Sequence, residues 1–327
     1  MPPNAMPFRA VVKVVQSPPL WSGIGQVPAH FKDGLVRHYP WHTEVKVYSS
    51  DLALAMPDGG RLRKVYAITA LDEQRTAIWM EDVAECSNAR WTDEVFRHAA
   101  NLLGRLAGSG PVRDSGPVLS PAKDADRLRF YLDSVGTTVY IPSLRGEESW
   151  KIPAVAEAAN AELISRLRAL TDRAHLLVHE VLELPTFPAH GDASPQNLLI
   201  EATHGGQEGC TEFVVIDWGS YRAACAGFDL GQLLAGPVNQ GCLRGEELYR
   251  LEPLCLKAFR EGLAESGVNI PESEVRRGFA MTMALFTGMS AVPSQRVDEP
   301  DSEELRAFMA ERIAMARFVL ELLDSTD

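Results

Sequence analysis

Apolar and polar residues change their spacing near residue 84. Before that point the chain reads as strands and irregular segments. FRAVVKVV, residues 8–15, is rich in β-branched side chains and predicts a strand. Residues 16–40 carry Pro18, Pro19, Gly23, Gly25, Pro28, Gly34 and Pro40, and predict a long loop or insertion. EVKVYSSDLALAM, residues 44–56, sets Val47, Leu52 and Leu54 partly on one side of a helix, although EVKVY alone also alternates as a strand does. Gly59-Gly60 predicts a turn, and RKVYAITAL and TAIWMEDV predict two further strands.

After residue 84 the helical period takes over. Thr92, Asp93 and Glu94 read as a helix start, with Val95, Leu102, Leu103 and Leu106 as its apolar face. Residues 108–124 are rich in Gly, Pro and Ser and predict a connector. Helices are expected over about 153–170 and 172–184, with Pro153 in the first turn. Two short apolar strands, 197–201 and 213–217, flank Gly205-Gly206 and predict a hairpin. Three more helices are expected over about 245–266, 272–291 and 302–324. The expected fold class is α+β: a small β-rich lobe at 1–84, then a larger, mainly helical lobe at 85–327 with an embedded hairpin.

Composition narrows the classes of function. The 327 residues are 46% hydrophobic, enough for a substantial core in two lobes. A formal net charge of −12 repels nucleic acid and anionic membranes and favours cationic partners. Cys86, Cys210, Cys225, Cys242 and Cys255 are odd in number and form no C-x-x-C pair. That speaks against a disulfide framework or structural zinc site and for a reducing cytosol. Arg9 and Lys13 break the N-terminal apolar stretch, so no signal-peptide core is expected. The longest uncharged stretch, FAMTMALFTGMSAV at 279–292, is too short to span a bilayer. A cytoplasmic protein without nucleic-acid or membrane partners is expected. His175 and His179 lie four apart, as zinc-binding pairs do, but packing or surface roles are the simpler reading.

Two polar clusters stand out beside apolar runs. AHGDASPQNLLI, residues 189–200, separates Asp192 from Asn197 by D-x-x-x-x-N, and FVVIDWGS, residues 213–220, ends a strand on Asp217. This arrangement suits phosphoryl transfer. Asp192 can accept a hydrogen bond from an attacking hydroxyl, and the Asn197 amide oxygen and Asp217 carboxylate can ligate a magnesium ion beside nucleotide phosphates. Pro195 stiffens the loop, and Gly191 permits a turn that a larger residue resists.

HGDASPQN followed by VVIDWG resembles the aminoglycoside phosphotransferase family, whose fold is similar to that of eukaryotic protein kinases. The resemblance implies a protein-kinase-like bilobal fold, with nucleotide binding in the small lobe and the catalytic loop and acceptor site in the large one. It implies ATP or GTP as co-substrate, Mg2+ as cofactor and a small-molecule hydroxyl as acceptor. Within the family's range of antibiotics, choline, sugars and amino alcohols, the negative net charge favours a cationic, aminoglycoside-like acceptor. By the same resemblance Asp192 is the catalytic base, Asn197 and Asp217 are the magnesium ligands, and His190 steadies the catalytic loop. Asp229, in GFDLGQLL, braces that region, while by itself it reads as the cap of a helix beginning near Leu230. Lys13, in RAVVKVV, matches the lysine that holds the α- and β-phosphates, and Glu44 matches its partner carboxylate. AIWMEDV resembles the hinge, where the backbone of Met80, Glu81, Asp82 and Val83 meets the base.

One departure stands against this pattern. The family carries a glycine-rich or small-residue hairpin ahead of the lysine strand, and only MPPNAMPFRAVV precedes Lys13. An incomplete small lobe is therefore expected. It motivates an alternative, a degenerate nucleotide-binding pseudoenzyme or regulatory protein. A protein kinase proper is disfavoured, because no A-P-E segment follows Asp217. The chain carries no motif that selects an acceptor, ATP over GTP, or an oligomeric state.

Overall fold

The computed structural model describes residues 9–84, 90–201, 212–293 and 296–326. The alternating AVVKVVQ segment forms β1 (Ala10–Gln16). It is followed by β2 (Gly60–Leu62), β3 (Val65–Asp72) and β4 (Arg75–Glu81). β4 lies between β1 and β3, antiparallel to both. Period-two alternation turns Val15, Ile78 and Met80 inward, where Val45 of the helix Thr43–Tyr48 packs on them. Val12, Val14 and Trp79 remain exposed.

The stretch 16–40 is not a loop throughout. A helix, Ala29–His38, starts after Pro28. Its Gly34 lets it close on the large lobe, since a Cβ there would lie 2.3 Å from the Phe130 ring. The predicted helix at 44–56 is two short ones, Thr43–Tyr48 and Leu52–Ala55. Ser50 breaks it: its hydroxyl donates to the Val47 carbonyl at 2.7 Å and accepts from Leu52 N at 3.3 Å.

In the large lobe, Thr92 caps the helix Asp93–Gly108. That helix lies along Leu248–Glu265 at a glycine-mediated approach, where a Cβ on Gly104 would stand 2.0 Å from the Phe259 carbonyl oxygen. The expected connector at 108–124 instead holds Gly110–Ser115 and the start of Pro121–Tyr131, each begun by a serine cap. Pro121–Tyr131 runs on into a wider π-type stretch, Leu132–Tyr140. There the Thr137 and Thr138 hydroxyls bond back to the Asp133 and Ser134 carbonyls. The expected helices 153–170 and 172–184 are divided elsewhere. Pro153–Ala158 is short, and Asn160 caps one long helix, Ala161–Glu183, by accepting from Leu163 N at 2.9 Å.

β5 (Thr186–Ala189) has no counterpart in the sequence reading. β6 (Leu198–Ile200) and β7 (Phe213–Val215) pair antiparallel as expected, while the Gly205-Gly206 turn lies outside the described residues. β8 (Arg222–Cys225) pairs with β5, and β2 adds to β7 in parallel, tying the two lobes through one sheet. Helices Phe228–Asn239, Leu248–Glu265, Glu272–Met283 and Glu303–Asp324 complete the large lobe. Its core includes Phe96, Phe213, Trp218, Phe259 and Phe279. Cys225, Cys242 and Cys255 are free, and Cys86 and Cys210 lie outside the described residues. Among the described residues no helix is long and apolar enough to cross a membrane.

Candidate active site

The loop after β5 is held from three sides. Gly191 has φ 87°, and a Cβ there would stand 2.1 Å from the Ser220 carbonyl oxygen, so glycine is required by both conformation and contact. Asp229 lies in the first turn of Phe228–Asn239, but Gly227 occupies the cap position. The capping expectation for Asp229 is thus corrected. Its Oδ2 accepts from His190 N and its Oδ1 from Gly191 N, each at 2.8 Å. The buried His190 ring donates from Nε2 to the Ile216 carbonyl at 2.9 Å and accepts at Nδ1 from Asp192 N at 3.3 Å. This bonding fits the Nε2–H tautomer. The ring also meets Trp218 edge-on, with centroids 4.7 Å apart.

Asn197 joins this loop to the second cluster. Its Nδ2 donates to the Asp192 carbonyl at 2.8 Å, and its own carbonyl accepts from Ile216 N at 3.0 Å. Asp217 follows at φ 59°, ψ 56°, the only non-glycine positive φ among the described residues. A left-handed aspartate costs about 1–2 kcal/mol of local strain, and such strain gathers at functional sites.

Lys13, on β1, reaches across to this turn. Its Nζ lies 2.6 Å from Glu44 Oε2 and 2.7 Å from Asp217 Oδ1. Burial works to lower the ammonium pKa, and the Glu44 and Asp217 carboxylates outweigh it, leaving Lys13 raised. Glu44 itself is buried on Thr43–Tyr48. Asp192 is pushed above the ordinary aspartate range by burial, with the Asp217 charge adding to the effect and Arg222 opposing it. The structure therefore brings Lys13, Glu44, Asp192, Asn197 and Asp217 to one place.

The donor set fits a magnesium ion. With its Nδ2 engaged, Asn197 has its amide oxygen to offer, and Asp217 offers a carboxylate; both are hard oxygen ligands. Among the described residues no group of three or more His, Cys, Asp or Glu could hold a metal. An ion here would rely on these two side chains and on phosphate oxygens.

The hinge residues lie at the end of β4, beyond Ile78, the cross-strand partner of Lys13. Met80 is buried. Glu81 accepts from Lys64 N at 2.9 Å and pairs with Arg61, which also holds Glu201 at 2.9 Å. Asp82 pairs with Arg9 at 2.8 Å, and Val83 follows without regular structure. The stretch where a glycine-rich hairpin would precede β1 includes residues 1–8, outside the described residues.

Sequence reasoning missed Arg61, Tyr39, Arg127 and Arg222. Burial raises the Tyr39 pKa, and the Asp217 charge raises it further, so Tyr39 lies close to the site. One signal was available for Arg222: it stands alone among small apolar residues in YRAACAG.

The sequence model of the family described as "Phosphotransferase enzyme family" (APH) matches residues 64–252, more than half of the chain. No curated protein matches the sequence. An aminoglycoside phosphotransferase from Alicyclobacillus acidocaldarius superposes with TM-score 0.56 at 14% identity, covering 88% of this chain and 82% of that one. A microcompartment-associated aminopropanol kinase gives 0.51 at 13% identity, covering 87% and 82%. An amicoumacin kinase in complex with AMP-PNP and Ca2+ gives 0.50 at 12% identity, covering 97% and 82%. At such identities the likeness carries the fold alone. Family match and fold agree, and the chain belongs to the phosphotransferase enzyme family, with a protein-kinase-like bilobal architecture.

Proposed function

We propose that this chain transfers the γ-phosphoryl group of ATP or GTP to a hydroxyl of a small molecule in the cytoplasm, with Mg2+ as cofactor. The observation that carries the reading is Lys13 Nζ set between Glu44 at 2.6 Å and Asp217 at 2.7 Å. An ammonium has three N–H groups, so one stays free for a nucleotide phosphate. The small lobe, 1–84, holds the nucleotide, with the backbone of Met80 to Val83 against the base. The large lobe, 85–327, supplies the catalytic loop and the acceptor site.

Asp192 takes the proton of the acceptor hydroxyl as that oxygen bonds to the γ-phosphorus. The bond from phosphorus to the β–γ bridging oxygen breaks, and the nucleoside diphosphate leaves with the electron pair. Mg2+ bound by Asn197 and Asp217 would neutralise charge on the phosphates. His190 and Asp229 act structurally, holding the loop that presents Asp192. Catalysis is then positioning and electrostatics. The amicoumacin kinase, in complex with AMP-PNP and Ca2+, supports the use of a nucleotide and a divalent ion. A degenerate binding protein is not favoured, because Lys13, Glu44 and Asp217 are joined rather than dispersed.

The test is phosphate transfer from γ-labelled ATP and GTP, with Mg2+, into a panel of small alcohols. Asp192→Ala should lower turnover by about 10²- to 10⁴-fold, the usual worth of a general base. Turnover of Asp192→Ala at the wild-type rate sinks the assignment.

A further inference from the structure

The net charge of −12 belongs to the whole molecule, whereas one cavity near the catalytic loop is lined by two arginines and no carboxylate among the described residues. A cavity of about 280 Å3 opens between Ala29–His38, Pro121–Tyr131 and the turn after Asp217. Ser220 lies in its wall, and the Ser220 carbonyl packs on Gly191, the neighbour of Asp192. Leu35, Tyr39, Phe130, Tyr131 and Phe286 give it an apolar, largely aromatic lining. Its charged side chains are Arg127 and Arg222, and among the described residues no carboxylate lines it.

Neither guanidinium is fully matched. Arg127 Nη1 lies 3.3 Å from Asp124 Oδ1, yet its Nε and Nη1 are buried without a hydrogen-bond partner. Asp124 is shared, because its Oδ2 accepts from Ala223 N at 2.9 Å. Arg222 Nε donates to the Ser220 carbonyl at 3.1 Å, and among the described residues Arg222 has no ion pair. Burial, then the like charge of Arg127, pulls the Arg222 guanidinium down to about 10, with the Asp124, Asp229 and Asp192 charges opposing the shift. The two guanidiniums repel each other, Asp124 is the only carboxylate paired with either among the described residues, and a further anion between them would offset that repulsion. The adjoining groove, about 540 Å3, shares Arg127 and adds Arg37, Lys46 and Lys123 against Asp124 and Asp126. The local field thus runs against the global one, and a ligand in the cavity feels the local one.

We propose that the acceptor carries an anionic group, a carboxylate or a phosphate, on an apolar or aromatic body, held by Arg127 and Arg222 beside Asp192. The proposal rests on the phosphotransferase reading for the role of Asp192 and names the acceptor class of that same site. It replaces the cationic acceptor that bulk charge alone favours. A polycationic acceptor would meet two guanidiniums and no carboxylate in this cavity.

The test measures dissociation constants of four probes on the wild-type protein by calorimetry. They are mandelate, phenyl phosphate, neutral methyl mandelate and cationic 2-amino-1-phenylethanol. One anion should bind about tenfold or more tightly than the ester, as charge-assisted hydrogen bonds require, with the amine weakest. Mandelate ahead of phenyl phosphate identifies a carboxylate, and the reverse order a phosphate. Arg127→Gln and Arg222→Gln should each shrink the preference. The ranking on unaltered protein decides the matter if a variant fails to fold. An amine that binds as tightly as the anions, or no charge ranking at all, overturns the proposal. Melting with and without Mg-ATP and Mg-GTP tests the phosphotransferase reading separately: no shift with either overturns that reading. Labelled phosphate appearing in the amine but not in mandelate overturns the acceptor class alone.

Discussion

Asp192 sits where burial and the Asp217 carboxylate both resist its ionisation, while Arg222 supports it. A base must be ionised to accept a proton, so turnover falls as pH drops through its pKa. The acidic limb of kcat/KM should therefore lie above the ordinary aspartate value of about 3.9. Arg222→Gln removes a supporting charge and should move the limb to still higher pH. A limb at or below the ordinary value, or one that Arg222→Gln moves to lower pH, contradicts the assignment. The residues of this chemistry were legible because their signals are local. Asp192 and Asn197 share one loop, and Asp217 ends a β-branched strand. The residues that surround the site and join the lobes were not legible, because their partners are remote in sequence. Arg61 bonds Glu201 across 140 positions, and Tyr39 approaches Asp217 only through the tertiary fold.

At the scale of elements, the contact of Asp93–Gly108 with Leu248–Glu265 rests on two glycines. A Cβ on Gly104 would lie 2.0 Å from the Phe259 carbonyl oxygen, and one on Gly262 would lie 2.1 Å from the Asn101 carbonyl oxygen. Both obstacles are backbone, so no side chain can swing aside. Gly104→Ala gains about 1 kcal/mol of helix propensity but forces Asp93–Gly108 away from Leu248–Glu265. Overpacking of this kind costs about 1–3 kcal/mol, so a lower melting temperature is expected. Gly25→Ala is the control, since nothing lies within 4 Å of its built Cβ. A Gly104→Ala protein melting at or above wild type contradicts the packing argument. The same tertiary contacts explain which elements the sequence concealed. Ala29–His38 hides among prolines and glycines because Gly34 serves the contact with Phe130, not a turn. Ala161–Glu183 runs on through Thr171, whose hydroxyl bonds back to the Arg168 carbonyl at 2.7 Å and leaves the helix whole. Helices whose caps and apolar faces agree, such as Asp93–Gly108 and Glu303–Asp324, read correctly from pattern alone.

The whole molecule is unequal in its cores. β1, β4 and the helix Thr43–Tyr48 bury Val15, Val45, Ile78 and Met80 in a small cluster of their own, while the continuous core of the helical lobe extends to Val47, Leu52 and Leu62. Regions with few buried apolar contacts open below the global unfolding free energy. Amides of β1, β3 and β4 should therefore exchange with solvent well before those of Asp93–Gly108 and Leu248–Glu265. The lobes are joined by β2 on β7, by Arg61 between Glu81 and Glu201, and by Lys13 on Asp217. A nucleotide bound at Lys13 would add to this seam and protect the thinner lobe by mass action. Hydrogen exchange with saturating Mg-ATP or Mg-GTP should slow β1 and β4 selectively, leaving the helical core at its former rate. Uniform exchange across both lobes would contradict the unequal stability. Protection confined to the helical lobe would place the nucleotide away from Lys13, because a ligand slows only those openings that break its own contacts.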